Sequence, residues 1–548
     1  MKFKQFSRKV IDTINVEQVP PEKTVEKSIK IAPVDRLINT GSVFLPWFKN
    51  QLKELCEATA LHGYSQIVRE GYTPIERGIW IFSVCSAFIT AIVLLWISWT
   101  WNAETPTYTV IESTNYATWN IPFPAVTICN LNKINYASAL KRAESMIRPD
   151  NISALQLVAK FRLMLHVNGL AESDKREYDG LHNLLLLNNL EVPQLIGEFA
   201  PPCSDMFERC MWKGTQWRCD NLFQMVNTTE GLCCSFNYYG TRGSNFDKKL
   251  STSVPTEPRR VTASGYQTGL SLILNPDVAN YHTTDIATTG FKLLIHYPYD
   301  FPDENAETKI VSSATEAYVS IVPKETYTTI DAFSLNPTDR NCYAYNEVQM
   351  STMERYSFVN CMVECRADQI FRQCGCVPYN LPSNGTMKNC EMIDMPCLSE
   401  NWELYQTAIP LLNYSVTKLG DRVPQVCDCL PSCETVQYPT EMSYGKLNRT
   451  FSYNSLAFFK DINLTNQSAV HIYFNDLVST RFRKDIYQNW LGTLASFGGI
   501  LGLFLGFSII TAFEVFYFFS IRVLFDVFVK RSEHKERESN ARGIDHPE

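Results

Sequence analysis

Two long apolar runs interrupt a chain that is otherwise mixed in character. The first, Gly78 to Trp101, has 24 residues and no charge. A helix rising 1.5 Å per residue crosses a ~30 Å hydrocarbon core in about 20 residues, so this run can cross with some tilt. Trp96, Trp99 and Trp101 gather at its far end, where interfacial aromatics collect. The second run, Trp490 to Phe519, carries one charge, Glu514. It is longer than a straight crossing requires, which predicts tilt, a break or projection beyond the lipid.

Shorter periods fill the remainder. Before the first run, Phe48, Leu52, Leu55 and Cys56 follow a helical spacing, and Leu61-His62-Gly63-Tyr64 reads as a helix ended by glycine. Between the runs, alternating and β-branched stretches predict strands at Thr107–Ile111, Ala125–Cys129, Leu270–Leu274, Phe291–His296, Tyr318–Val322 and Val470–Phe474. Helices are predicted over Ser153–His166, with Leu155, Val158, Phe161 and Leu165 on one face, and over Met353–Gln373. No fixed-period repeat occurs. Because the strands are scattered, the expected fold of this region is a mixed α/β domain on a central sheet. Residues 1 to about 40 are polar and lysine-rich, with Pro20-Pro21, and read as a mobile cytosolic arm; no apolar run near Met1 suggests a cleavable signal.

Within the second run, Gly498, Gly502 and Gly506 recur every four residues and share one helical face. Such a stripe lets membrane helices pack closely. Gly506-Phe507-Ser508 adds a weak point in the helix and a hydroxyl, and Glu514 adds an intramembrane carboxylate, a feature common on ion paths. Freed carbonyls, a hydroxyl and a carboxylate are hard oxygen ligands for a small cation. These residues alone fit either helix packing or a cation pore.

The chain has 548 residues, more than one ordinary domain, and a net charge of -7 that indicates little about partners. Its mean hydropathy is slightly negative, which excludes a transporter with many spans. Sixteen of the 18 cysteines lie between Cys129 and Cys433, and the glycosylation sequons at Asn151, Asn227, Asn384, Asn413, Asn448, Asn463 and Asn466 all fall between the two runs. The middle of the chain is therefore expected in an oxidising, glycosylating compartment, with both termini cytosolic. The lysines and arginines before the first run agree, as do Lys530, Arg531, Lys535 and Arg537; Arg481, Arg483 and Lys484, on the outer side, run against the positive-inside trend.

Ten cysteines crowd residues 342–433 as C-x3-C, C-x-C and then C-x-C-x3-C, nearly a mirror about the centre. Nested disulfides suit that order. Zinc is disfavoured, because C-x-C is tight for chelation and no histidine lies inside the block. No zinc-protease, phosphate-loop or nucleophile-elbow motif is present, so no enzyme, metal or cofactor chemistry is expected. His166, His282 and His471 read as structural or surface residues. No basic patch interleaved with aromatics points to nucleic acid.

Taken in order, these stretches resemble the degenerin/epithelial sodium channel family over residues 46 to 525, closest to its insect pickpocket branch. The carriers are His62-Gly63 before the first run, TNYATWNIPFPAVTICNLNKI from Thr114, GLCCSFNYY from Gly231, FKLLIHYPYDFP from Phe291, the ten-cysteine block, and Gly506-Phe507-Ser508 as a G-x-S filter.

The resemblance implies a trimer, of one subunit type or several, with two transmembrane helices per subunit and a large disulfide-rich α/β extracellular domain shaped as a hand of palm, β-ball, finger, thumb and knuckle. The implied order is a cytosolic region, 1–77, with a re-entrant motif at His62 and Gly63; a first span, 78–101; the extracellular domain, 102–488, with a finger at about 135–260 and a thumb at about 335–440; a second span, 489–520; and a cytosolic tail, 521–548. Gly506, Phe507, Ser508 and Glu514 would line the pore, and Ala495 would hold the degenerin position beside the gate. The implied thumb pairs are Cys342–Cys433, Cys361–Cys429, Cys365–Cys427, Cys374–Cys397 and Cys376–Cys390. The bulk of Phe507 departs from the Ala or Ser of many relatives. The expected function is a sodium-permeable, amiloride-sensitive, non-voltage-gated channel subunit in the plasma membrane, opened by an unidentified extracellular chemical or mechanical stimulus. Its partners would be lipid and related subunits. The alternative is a two-pass receptor or adhesion protein without conductance, which has no reason to keep a glycine stripe, a G-x-S break and a glutamate in one span. An ATP-gated channel would need clustered extracellular lysines and arginines, and no convincing set exists.

Overall fold

The two apolar runs form helices of different kinds. Pro74–Glu104 is one unbroken helix of 31 residues, longer at both ends than the apolar run, because Pro74 can start a helix and Glu76 accepts the Thr73 N–H at 2.7 Å. Most of its large apolar side chains are exposed, Phe82 at 76% and Trp96 at 69%. The second run divides into Trp490–Leu505 and Ile509–Phe516, followed by a π-helical turn at Tyr517–Ile521, and the two parts bend by 69°. Among the described residues, Pro74–Glu104 is thus the one single helix long and apolar enough to cross a membrane, and the bent pair qualifies when taken together.

The computed structural model describes residues 51–165, 175–241, 257–401, 405, 409–410, 426–448, 458–462, 464–525, 528–529 and 532. The N-terminal arm, Phe48, His166, the sequons at Asn413 and Asn463, and Lys530, Arg531, Lys535 and Arg537 lie outside them. The chain divides into two units, one of residues 1–99 with 490–548 and one of residues 100–489.

In the first unit, residues 51–58 form a helix that buries Gln51 and Leu55, and Thr59, one residue past its end, continues that buried line at a spacing of four. The predicted face differs, since Leu52 is exposed. Gly63, with φ of 82°, precedes a five-residue helix at Tyr64–Val68.

Among the described residues the second unit holds three larger sheets and two two-stranded ones, where the strand pattern predicts a single central sheet. The four-stranded sheet runs Thr107–Ala117, Val478–Ile486, Lys324–Thr328, Thr435–Gln437. The five-stranded sheet runs Glu307–Ser312, Gly290–His296, Ala125–Asn130, Gly231–Phe236, Phe223–Thr228. The six-stranded sheet runs Thr440–Lys446, Thr315–Ile321, Ser468–Phe474, Leu270–Leu274, Phe207–Trp212, Thr215–Trp217. All six predicted strands exist, but as members of different sheets.

The five- and six-stranded sheets bury one apolar core between them, and Phe123 is its hub, with its ring 5.0 Å from Trp212 and 5.3 Å from Phe474. A second core joins the helices of residues 136–199 to residues 350–405. Here Ser153 caps Ala154–Phe161, which tightens into a 3-10 turn at Arg162–Leu165, and Ser357 caps Phe358–Cys374. That cap starts the latter helix five residues later than its apolar period predicts.

Sixteen cysteines form eight disulfides, leaving Cys56 and Cys85 free. Cys342–Cys433, Cys361–Cys429, Cys365–Cys427, Cys374–Cys397 and Cys376–Cys390 are the five pairs that the resemblance implies. Cys361 and Cys365 stand one helical turn apart, about 6 Å, close to the reach of the two extended residue steps from Cys427 to Cys429. The other three pairs, which the sequence leaves open, are Cys129–Cys233, Cys203–Cys234 and Cys210–Cys219. Cys233 and Cys234 are neighbours on one strand and point to opposite faces, so one reaches the adjacent strand and the other reaches Cys203.

Arg481, Arg483 and Lys484 belong to Val478–Ile486. Arg481 stacks on Tyr327 at 3.9 Å and Tyr116 at 4.5 Å and pairs with Glu325 at 2.8 Å. Arg483 pairs with Asp485 at 3.4 Å. These two arginines are engaged on a sheet.

Candidate functional site

The break in the second apolar run has a local cause at each residue. Gly506 takes φ of 69°, the left-handed conformation that ends helices, and its N–H donates to Gly502 O at 2.9 Å. The Phe507 N–H donates to Leu501 O at 3.3 Å. Ser508 is extended and restarts the helix: its Oγ accepts the Thr511 N–H at 3.2 Å, and Thr511 Oγ1 accepts the Ser508 N–H at 2.5 Å. G-x-S is therefore a helix stop, a spacer and a helix start.

The His62-Gly63 segment lies on this break. The His62 N–H donates to Leu505 O at 2.9 Å, and a Cβ placed on Gly506 would stand 2.8 Å from His62 Cδ2. Gly63 is equally confined, since a Cβ there would meet Val84 Cγ2 at 2.8 Å. Two further links join the pre-span segment to the helix after the break. Thr59 Oγ1 donates to Glu514 Oε2 at 3.4 Å, and Glu54 pairs with Arg522.

The predicted pore residues thus separate into two groups. Gly506 meets His62 and Glu514 meets Thr59 of the same pre-span segment, while Ser508 bonds to Thr511 in its own turn and Gly63 lies against Val84. The carbonyls of Leu501, Gly502 and Leu505 already have donors, so the break frees fewer oxygens than a simple disruption would. Ala495 lies apart, exposed on Trp490–Leu505. Apart from Gly506, the glycine stripe meets almost nothing in its own chain: a Cβ on Gly498 or its neighbour Gly499 has no described atom within 4 Å, and one on Gly502 meets Phe507 O at 3.8 Å. Thr59 and Thr511 were not singled out by sequence reasoning. The S-x-x-T spacing of a capping box could have identified Thr511.

In the second unit, Asn151, Asn227, Asn384, Asn448 and Asn466 are all exposed. His471 is buried, with Nδ1 2.8 Å from Ser271 Oγ and Nε2 3.1 Å from Glu316 Oε1; His282 Nε2 lies 3.1 Å from Val158 O. Among the described residues no cluster of histidine, cysteine and acidic side chains could hold a metal.

Comparison with known proteins gives a consistent result. The family model described as amiloride-sensitive sodium channel matches residues 55–518. Sodium channel protein Nach of Drosophila ananassae is 27% identical over 510 residues, covering 92% of this chain and 90% of that protein. Pickpocket protein 11 of Drosophila melanogaster is 24% identical, covering 85% and 75%. The bile acid-sensitive ion channel of Mus musculus is 26% identical, covering 85% and 87%.

Proposed function

Since this chain belongs to the amiloride-sensitive sodium channel family, a family of ion channels and not of enzymes, we propose that it is one subunit of a trimeric, sodium-permeable channel of the plasma membrane. Pro74–Glu104 and the bent pair Trp490–Leu505 and Ile509–Phe516 are its two spans, both termini are cytosolic, and residues 102–488 face outward. The glycosylated, disulfide-bonded domain receives an extracellular stimulus, amiloride blocks the pore, and the other subunits are copies or relatives of this chain.

The observation that carries this reading is the capped break at Gly506–Ser508 with His62 seated on it. A helix meant only to anchor a domain gains nothing from a stop-and-restart in mid-membrane, where each interrupted backbone group must find a partner. Exposed apolar side chains along Pro74–Glu104 suit lipid contact, and the open stripe positions Gly498 and Gly502 suit a neighbouring subunit or an aqueous path. Ions follow their gradient through the second-span helices, Gly506 and Ser508 form the constriction, Ala495 stands by the gate, and Glu514 faces the cytosolic side of the pore. Movement in the extracellular domain opens the gate through the disulfide-braced segment 342–433.

The test is whole-cell current after expression alone and with related subunits. An amiloride-blocked sodium current that disappears with Ser508→Phe supports the assignment. Surface delivery with plausible partners and no current overturns it.

A further inference from the structure

Four N-x-S/T sequons are described over all three residues, those of Asn151, Asn227, Asn384 and Asn466, and each of these asparagines is exposed. Transfer of a glycan needs two groups within reach of the enzyme together: the asparagine amide, which takes the sugar, and the hydroxyl two residues on, which marks the acceptor. The fold treats that hydroxyl differently from one sequon to the next.

At Asn227 it is hidden. Asn227 pairs with Leu232 in the hairpin of Phe223–Thr228 and Gly231–Phe236, and Thr229 Oγ1 is buried without a partner. The Thr229 N–H donates to Pro302 O at 3.3 Å and its carbonyl accepts from Asn380 Nδ2 at 3.1 Å, so the backbone carrying the hydroxyl is held from two sides. Cys233 and Cys234 tie the returning strand to Cys129 and Cys203. At Asn466 the hydroxyl belongs to Ser468, fully buried at the start of Ser468–Phe474, where its Oγ donates to Ser312 O at 2.9 Å. At Asn151 the Ser153 Oγ is engaged in its helix cap, accepting the Gln156 N–H at 3.3 Å and donating to Gln156 Oε1 at 3.2 Å.

Asn384 is the reverse. Asn384, Gly385 and Thr386 are all exposed, and Gly385 bends the chain with φ of 77°. The Thr386 N–H and Oγ1 both donate to Asn384 Oδ1, at 3.1 Å and 2.7 Å. Amide and hydroxyl thus stand side by side in a turn that asparagine side chains favour. The turn lies inside the loop closed by Cys376–Cys390, so folding builds it instead of burying it.

We propose that Asn384 is a glycosylation acceptor presented by the finished fold, whereas Asn227 and Asn466 accept a glycan only before their strands pair. The donor is an oligosaccharide on a lipid diphosphate. The bond from Asn384 Nδ2 to the anomeric carbon of the first sugar forms as that carbon's bond to the diphosphate breaks. The diphosphate leaves with the electron pair, and the amide gives up one N–H proton to the enzyme's base.

In the cell this rests on residues 102–488 facing outward, but the test does not depend on topology or conduction. Full-length protein is made without glycans in tunicamycin-treated cells, placed in nanodiscs and shown by non-reducing peptide mapping to hold its disulfides. Purified oligosaccharyltransferase and lipid-linked donor are added, and occupancy is read by mass spectrometry. Asn384 should exceed Asn227 and Asn466 by about tenfold or more, because those two open only with local unfolding. In protein reduced and alkylated beforehand, the three should come within about threefold of one another. Gly385→Val, which puts a side chain on a left-handed backbone, should lower Asn384 occupancy in the folded protein and leave it unchanged in the reduced chain. Comparable occupancy at all three sites of the folded protein overturns the proposal. So does an Asn384 that accepts only after reduction, a preference for Asn384 that survives reduction undiminished, or a Gly385→Val effect equal in both states.

Discussion

The imidazole of His62 lies directly against the α-carbon of Gly506, so close that a methyl group on the glycine would stand 2.8 Å from Cδ2 and 2.9 Å from Nε2. Gly506→Ala therefore meets two penalties, the left-handed backbone, about 1–2 kcal/mol for an L-residue, and the collision. His62→Ala removes only the collision. Current from Gly506→Ala should be strongly reduced, and the double variant should recover part of it. A double-mutant cycle on current per surface-delivered channel checks this, with additivity counting against a working contact.

Ser508→Ala deletes the capping box at the helix restart, worth about 1 kcal/mol. Ser508→Thr retains an acceptor. Sodium-to-potassium permeability should fall in the alanine variant and stay near wild type in the threonine variant, as read from reversal potentials. Equal loss in both would separate selectivity from the cap.

Ala495 is exposed on Trp490–Leu505. If it stands beside the gate, Ala495→Cys treated with a bulky thiol reagent should raise standing current several-fold, while untreated protein stays near wild type. A reagent that blocks instead would place this residue in the conducting path.

Opposing proton demands meet at the end of Gly290–His296. His296 donates from Nδ1 to Tyr297 O at 3.0 Å and accepts at Nε2 from Thr127 Oγ1 at 2.9 Å, and burial pushes its pKa down to about 4. Its contribution to stability is present at neutral pH and is lost as pH falls from about 6.5 towards 4. Asp300, which burial raises to about 7, contributes below pH 4 and loses that contribution as pH rises through 7. Between about 4 and 6.5 the two slopes oppose each other. Asp300→Asn should then make the melting temperature climb with pH across that window, and His296→Gln should make it decline. Parallel profiles in both variants would contradict the assignment.

Removing the bridge from Phe358–Cys374 to the segment after Val426–Cys427 with Cys361→Ser and Cys429→Ser together should cost about 2–4 kcal/mol, seen as a lower melting temperature of the full-length protein. Surface delivery should drop in proportion.

What could be read from the residues follows a physical division. Strands buried on both faces, such as Ala125–Asn130 and Leu270–Leu274, are plain as short apolar runs. Val478–Ile486 carries arginines and a lysine on a half-covered sheet, where stacking on Tyr116 and Tyr327 replaces apolar burial, so its period is hidden. Glycine and serine at 506 and 508 are visible as helix breakers, but their meeting with His62 is a long-range contact that no local pattern encodes. The same holds for Asp300, one carboxylate among many in the sequence, distinguished only by the missing donor at Oδ1.

Cys233 and Cys234 give the strand Gly231–Phe236 a parity check. A slip of one residue would turn each sulfur to the wrong side, so neither bridge could close, and a slip of two would restore the facing but carry both out of reach. Two adjacent thiols thus work as an error detector on sheet alignment, and only a correctly threaded chain is locked shut.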